Sequence, residues 1–374
     1  MHRVDPCSEC AAVVKADAYG LGVEGVSRAL FEAGCRTFFV ATLSEGVGLR
    51  CILSGASGCN LHSAMPYGDD APRIIVLGGL SHGVGEEWHR YQLVPVLFDI
   101  DHFQCWRAYQ KSLFQEKDTF IGDEISLPCV IKLDTGMHRM GLSVEDFSCV
   151  CSDQNMRSSL APLLIMSHLA CADEPKHPLN VQQLSQFQQQ KQLAALNFPD
   201  IRFSLANSSG LFLGEDYLFD LARPGIAMYG GNPTPYGDNP MSPVVQLSLP
   251  IMQLKVIEAG ESVGYGASFT AARVTHLAVV FGGYADGMLR ALSNSGFAYC
   301  AGQRVPLIGR VSMDSMVFDV TDVRLPKEAG SVEVFGLEQT VDDMAKKAGT
   351  IGYEMLTSLG ARYQRQYISL EGAL

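Results

Sequence analysis

Short apolar runs recur through the first two thirds of the chain, each closed by a polar residue and a turn. They are Val13-Val14-Lys15, Phe38-Phe39-Val40, Ile74-Ile75-Val76-Leu77, Val94-Pro95-Val96-Leu97-Phe98, Val130-Ile131-Lys132-Leu133, Leu164-Ile165-Met166, Phe203-Ser204-Leu205 and Leu218-Phe219-Asp220-Leu221. Their shortness and their β-branched and aromatic content read as buried strands. Between them, residues 23–33, 102–113 and 179–196 have helix-forming composition, although the last is Gln-rich and its apolar stripe is imperfect. Strands alternating with helices predict a parallel sheet covered on its faces, and about eight strands is the number that closes an α/β fold into a (β/α)8 TIM-type barrel.

Such a barrel builds its site at the C-terminal ends of its strands. The residues there are Lys15, Thr42, Asp99, Asp134, His168, Asn207 and Arg223. Turns open with polar residues in any fold, which accounts for Thr42, Asp99 and Asp134 and leaves Lys15, His168 and Arg223 asking for more. A lysine that ends an apolar strand reaches solvent with its ammonium, is paired, or is used chemically. A desolvated amine with a lowered pKa is what Schiff-base chemistry requires, so Lys15 is the candidate nucleophile.

Beyond residue 235 the pattern changes. Pro233, Pro235, Pro240, Pro243 and Pro250 crowd a Gly- and Asn-containing stretch. Strand-like runs at 244–249, 252–257, 277–281, 305–308, 316–320 and 332–335 follow, with one helix at 341–348, and predict a second, mostly β domain. The expected division is 1–235 and 236–374. Hydrophobic residues make up 47% of the chain without a run of membrane-spanning length, and the first residues lack the apolar core of a signal peptide, so a cytoplasmic protein is expected. A net charge of −12 and the lack of a basic cluster argue against nucleic acid. The cysteines, among them Cys35, Cys129 and Cys171, are scattered through apolar runs as reduced core residues are. Cys7 and Cys10 form a Cys-x-x-Cys pair with no second pair to complete a site, and no metal is expected.

A series of motifs then stands in one order: Val14-Lys15-Ala-Asp-Ala-Tyr19-Gly, Lys132-Leu-Asp-Thr-Gly-Met-His-Arg139-Met-Gly, Ser167-His168-Leu-Ala, Ala206-Asn207-Ser208-Ser-Gly, Arg223-Pro-Gly225-Ile226-Ala-Met-Tyr-Gly, Val263-Gly-Tyr265-Gly, Gly283-Tyr284-Ala-Asp-Gly and Val311-Ser-Met313-Asp314. With them the chain resembles the alanine racemases, pyridoxal-phosphate enzymes of the barrel-plus-β-domain type, across residues 11–367. The resemblance implies a homodimer that interconverts L-alanine and D-alanine and supplies D-alanine for peptidoglycan. Lys15 would hold pyridoxal 5'-phosphate as a Schiff base and serve as base toward D-alanine. Tyr265 would serve the opposite face, toward L-alanine, from the second subunit, together with the Met313 N–H on the substrate carboxylate. The cofactor phosphate would meet Tyr19, Ser208, backbone N–H groups near Asn207, Gly225 and Ile226, and Tyr353. Gly-rich turns suit an anion because backbone donors approach it without a Cβ in the way.

By the same resemblance Arg223 would donate to the pyridine nitrogen. A guanidinium has no acceptor with which to stabilise a protonated pyridinium, so the ring is a weaker electron sink and transamination is opposed. His168 would orient Arg223, and Arg139 would bind the cofactor phenolic oxygen and the substrate carboxylate. Lys132 matches a position carbamylated in many members, while Tyr284 and Asp314 would line the entrance, with Arg290, Arg310 and Ile351 further out. A narrow entrance favours alanine, with a broader alanine and serine racemase as the alternative. A pyridoxal-phosphate carrier would lack the β domain and Tyr265. A basic amino-acid decarboxylase would place a carboxylate where Arg223 stands. The resemblance departs at the N-terminus, where members carry roughly one more strand and helix before the lysine. That difference predicts uncovered apolar barrel surface, one strand fewer in the β domain, and a non-catalytic cofactor-binding protein if the missing element abolishes activity.

Overall fold

Residues with two substituents on Cβ and aromatic residues dominate the inner strands, and the backbone they favour is extended. The computed structural model describes residues 8–55, 71–81, 83–115, 126–324 and 330–368, and Cys7 of the Cys-x-x-Cys pair lies outside them. Two units are distinguished: one comprises Met1–Ala18, Val23–Gly225 and Pro233–Asp238, the other Tyr19–Gly22, Ile226–Asn232 and Asn239–Leu374.

The first unit is built on β1 (Glu9–Cys10), β2 (Ala12–Val13), β3 (Thr37–Val40), β4 (Arg73–Val76), β5 (Leu93–Leu97), β6 (Pro128–Lys132), β7 (Ala161–Met166), β8 (Arg202–Ser204) and β9 (Leu221–Ala222). Strands β2 to β8 form one parallel sheet in chain order. The sheet closes through β9. It pairs in parallel with β1, Ala11 and Val13 donate to the Ala222 and Pro224 carbonyls, and on its other side Asp220 and Arg223 donate to Phe203 and Ala206. Phe38, Phe39, Ile74, Leu97, Val130, Ile131 and Ile165 are buried, as the faces of a covered parallel sheet require. At the N-terminal ends of the strands, the Glu9 carboxylate accepts from Thr37, Arg73 and Arg202 and ties β1, β3, β4 and β8 together.

Two expected strands move. The first ends at Val13, so Lys15 lies beyond it. The last falls at Leu221–Ala222 rather than 218–221, because Phe219 takes a left-handed conformation (φ 49°) and turns residues 218–220 out of the sheet. The helices Val23–Glu32, Ile100–Gln115 and Pro178–Asn197 fall close to expectation. The last one buries Asn180, Gln183, Phe187, Gln190 and Ala194, spaced three and four apart, so its inward stripe is largely amide side chains. Cys35 and Cys129 are buried as expected, while Cys171 is only half-buried, and every described cysteine is free.

The second unit carries β10 (Leu247–Ile257), β11 (Ser262–Val263), β12 (Phe269–Thr270), β13 (Thr275–Phe281), β14 (Phe297–Cys300), β15 (Gln303–Pro306), β16 (Ser315–Asp319) and β17 (Ser331–Phe335). An antiparallel sheet runs β15-β14-β17-β10-β13-β16. The two expected runs 244–249 and 252–257 are one strand, β10, whose bulge between Ile251 and Gln253 lets it pass from β17 to β13. Strand β14 was not expected. It forms a hairpin with β15 through Ala301 and Gly302, both at positive φ, as a two-residue hairpin turn demands. The helix Val341–Ala348 matches expectation and is capped by a reciprocal Thr340–Asp343 pair and by Gly349. No described helix is long and apolar enough to cross a membrane. The fold is a barrel of alternating strands and helices followed by a mostly β region.

Candidate functional site

Val14 donates to the Phe39 carbonyl and ends the strand, and the backbone then winds the wrong way. Ala16, Asp17, Ala18 and Tyr19 take φ of 54°, 54°, 53° and 56°, followed by Gly20 at 81°. Left-handed residues that carry a Cβ cost about 1–2 kcal/mol each, so this turn needs outside support. Glu45 accepts from Ala16 N–H at 2.8 Å, and Asp17 accepts from Val23 N–H at 2.7 Å. The other Glu45 oxygen takes Ala41 N–H at 2.7 Å as part of the cap on the helix Leu43–Leu53, where Thr42 is the capping residue. Lys15 is therefore fixed at the strand end by the side chains of the next strand-to-helix connection. Burial depresses its pKa, the Arg139 charge depresses it further, and Glu45 acts in the opposite sense.

Four more of the expected residues converge with Lys15. Lys132 is buried, and desolvation with the Arg139, Arg223 and Lys15 charges against a smaller Asp134 effect brings it down to about 8. Burial and the charges of Arg223, Lys132, Arg139 and Lys15 push His168 well below the usual imidazole range, so it is neutral at neutral pH. Arg223 is 5% exposed and donates to Ser204 Oγ and to the Ser167 carbonyl, and burial lowers it to about 10. Arg139 ends a loop that Asp134 organises by accepting from Gly136, Met137 and His138 N–H at 2.9–3.1 Å. Asp99 caps the helix that follows it through His102 N–H, an ordinary turn role.

Next to this group, Asn207 Oδ1 accepts from Gly210 N–H at 2.9 Å, and buried Ser208 accepts from Gly225 N–H at 2.8 Å. In the second unit Tyr19 is buried, with its ring 4.6 Å from Tyr229 and 6.0 Å from Tyr353, and burial pushes its phenol up. Ile226 is buried at the start of the turn Ile226–Tyr229.

The remaining expected residues stand on exposed turns of the second unit. Tyr265 is 72% exposed between Gly264 (φ 70°) and Gly266 (φ 73°). Tyr284 and Met313 are also exposed and are joined through the backbone, Tyr284 donating to the Ser312 carbonyl and Ala285 to the Met313 carbonyl. Gly283 permits that approach, since a Cβ there would lie 2.5 Å from the Met313 oxygen. Arg362 braces both turns, with two bonds of 2.6 and 2.7 Å to fully buried Asp286 and one of 2.7 Å to Asp314.

Sequence reading missed Glu45, Gln183, Asp286 and Arg362. Asp286 lies inside a quoted motif and Gln183 inside the imperfect stripe, so both carried a signal. Glu45 showed only the Thr42-x-x-Glu45 capping pattern, and Arg362 showed none.

Known proteins resemble this chain along nearly its whole length. Residues 1–233 match the alanine racemase N-terminal domain and residues 244–367 the alanine racemase C-terminal domain. A catabolic alanine racemase of Agrobacterium fabrum is 43% identical over 97% of this chain and 87% of its own length, and one of Rhodospirillum rubrum is 42% identical over 98% and 90%. Among solved structures, alanine racemase from Bartonella henselae with covalently bound pyridoxal phosphate superposes with a TM-score of 0.83 at 36% identity, covering 98% of this chain and 94% of that one. With both domain models matched and close relatives aligned along nearly its whole length, this chain belongs to the alanine racemase family.

Proposed function

We propose that the chain is a pyridoxal-phosphate-dependent alanine racemase, an isomerase that acts as a cytoplasmic homodimer and supplies D-alanine for the cell wall. The observation that carries this reading is the convergence of Lys15, Lys132, Arg139, His168 and Arg223, with Glu45 and Asp134 the carboxylates that offset their charge among the described residues. So many donors around an easily deprotonated amine fit a ligand that brings an aldehyde, a phenolic oxygen, a phosphate and a substrate carboxylate. The Ser208–Gly225 turn and Asn207 fit the phosphate end, for which the family resemblance also names Ile226, Tyr19 and Tyr353. When bound, pyridoxal phosphate delocalises the electrons left when an amino acid loses its α-proton.

In this reading Lys15 anchors the cofactor and moves the α-proton on the face that D-alanine presents. Burial and the Arg139 charge lower its pKa, the direction that favours the neutral amine a base requires. Tyr265 moves the proton on the opposite face. Arg139 and the Met313 N–H hold the substrate carboxylate, and a carbamate on Lys132 would replace a repelling cation with a negative charge that steadies Arg139. Arg223, steadied by His168, presents N–H groups and no acceptor to the pyridine nitrogen. Tyr284 and Asp314 restrict the entrance to small side chains. Residues 1–235 would bind the cofactor, and residues 236–374 would lend Tyr265 and Met313 to a second subunit. Support for that sharing is the exposure of Tyr265 and Met313, with Met252, Leu254 and Val256 exposed on alternate positions of β10.

The test is to incubate L-alanine with the cofactor-loaded protein in deuterated buffer and to follow chirality and mass. α-Deuterated D-alanine without pyruvate is the expected product. Bound cofactor with no exchange at the α-carbon would refute a racemase.

A further inference from the structure

The Gln-rich helix Pro178–Asn197 poses a problem that the racemase reading does not use: its inward stripe is polar where a barrel helix should be apolar. Gln183 is fully buried on that stripe. Its Nε2 donates to the His168 carbonyl at 2.9 Å and to Thr135 Oγ1 at 3.3 Å, and its Oε1 accepts from Ala170 N–H at 2.9 Å. The Thr135 hydroxyl lies 2.7 Å from Ser167 Oγ, which donates to the Leu133 carbonyl at 2.9 Å. The Ser167 carbonyl, in turn, is an acceptor for Arg223.

One amide therefore pins the backbone immediately after His168, through the His168 carbonyl and the Ala170 N–H, and reaches into the connection between Lys132 and Arg139. Through Thr135 and Ser167 it ends on the carbonyl that holds the Arg223 guanidinium. A buried amide is retained when each of its polar atoms is matched, and here donors and acceptor all find partners. Leucine at this position would fill the space and leave the Ala170 N–H and the His168 carbonyl unpaired.

We infer that Gln183 is a positioning residue, which holds the loops bearing His168 and Arg139 in register with Arg223. The inference rests on the site reading above. It assigns the helix a role in the electrostatics at the ring-nitrogen end of the cofactor, where a shifted guanidinium changes how the site treats that nitrogen.

Three variants, prepared as cofactor-loaded protein, test it. Gln183→Met conserves length and volume but removes every hydrogen bond, and kcat/KM for L-alanine is expected to fall roughly tenfold or more, with the absorbance spectrum of the bound cofactor displaced. Gln183→Glu still accepts from Ala170 but donates to His168 only when protonated, and burial raises the pKa of such a carboxyl. Its activity relative to the native protein should therefore recover as pH is lowered from about 9 toward 6, whereas the Gln183→Met ratio stays flat. Thr135→Val cuts only the far leg and should give a smaller displacement of the spectrum in the same direction. If all three folded variants keep the native spectrum and kcat/KM and lose only thermal stability, Gln183 is packing and the inference is overturned. Arg223→Lys separates the two levels: a changed spectrum there with unchanged Gln183 variants refutes the inference alone, while no change in any of them refutes the site reading itself.

Discussion

The barrel unit and the β-rich unit hold their expected functional residues in opposite ways. In the barrel, Lys132, His168 and Arg223 are desolvated, Arg223 is held by Ser204 Oγ and the Ser167 carbonyl, and Lys15 is fixed by a left-handed turn that Glu45 braces. In the β-rich unit, Tyr265 and Met313 sit more than half exposed, Tyr265 between two glycines and Met313 against Gly283. A charge cluster must be organised before a ligand arrives, because reorganising dipoles during reaction is costly. An exposed phenol has no such organisation in its own chain. In the proposed reading, the contrast marks one half of the site as complete within a subunit and the other half as offered to a partner.

The largest effect should come from the complete half. Lys15→Ala removes both the anchor and one base, and kcat for either enantiomer should fall by more than about a thousandfold. Methylamine added to the assay should return part of the proton transfer if the loss is chemical. Unchanged kcat would end the assignment of Lys15.

Next comes Tyr265→Phe, which keeps the ring and deletes the proton. Racemisation should drop by about 10²–10⁴-fold while the cofactor stays bound with its native absorbance. Equal loss of cofactor would remove Tyr265 from its assigned role. Co-expression of the Lys15→Ala and Tyr265→Phe chains tests the comparison directly. If Tyr265 serves the other subunit, each mixed dimer contains one site with both native residues, and activity returns to as much as half the native value per dimer. If Tyr265 serves its own chain, mixing restores nothing.

A smaller effect concerns the cost of the buried cluster. Lys132 is brought down to about 8, below the ordinary lysine value near 10.4. Between those two pH values the unfolded chain holds a proton that the folded chain does not, so stability rises with pH across the window and the full burial penalty applies below it. Lys132→Met should raise unfolding stability at pH 7 by about 3 kcal/mol, and the gain should vanish above about pH 10. Urea unfolding at several pH values measures this. No gain at pH 7 would mean that the amine is masked, as a carbamate would mask it.

Much of the fold was legible because strand-forming residues announce themselves locally. Phe38-Phe39-Val40 and Val130-Ile131 can do little other than form buried strands, and β3 and β6 lie there. The left-handed turn at Ala16-Asp17-Ala18 was not legible, since nothing in those residues favours positive φ and the support comes from Glu45, remote in sequence. The amide stripe of Pro178–Asn197 was visible as an anomaly but not as a network, because the groups that satisfy Gln183 come from two other connections. Lys15, His168 and Arg223 were legible as residue types at strand ends. The depression of His168 by burial and by the charges of Arg223, Lys132, Arg139 and Lys15 depends on a closed barrel that brings those ends together, which no local pattern states.

Closure itself has a measurable signature at the opposite end of the strands from the cluster. Burial acts to raise the Glu9 pKa, but hydrogen bonds from Thr37 and Arg202 and the charges of Arg73 and Arg202 outweigh it, and the carboxyl ends below its ordinary value. A carboxylate so depressed contributes stability that is fully present above the unfolded-state pKa near 4.3 and is lost as pH falls through the lower folded value. Glu9→Gln keeps the shape and the hydrogen-bond acceptor but abandons the charge to two guanidinium groups. Stability at pH 7 should fall by about 2 kcal/mol, and the variant should lose the part of the acid-unfolding slope that lies below about pH 4. Racemase activity at pH 8 should be unchanged, since the partners of the Glu9 carboxylate among the described residues are strand-start residues of the barrel. A loss of activity without a loss of stability would mean that barrel closure and the charge cluster are coupled, and the comparison between a self-contained half and a waiting half would then have to include the whole barrel wall.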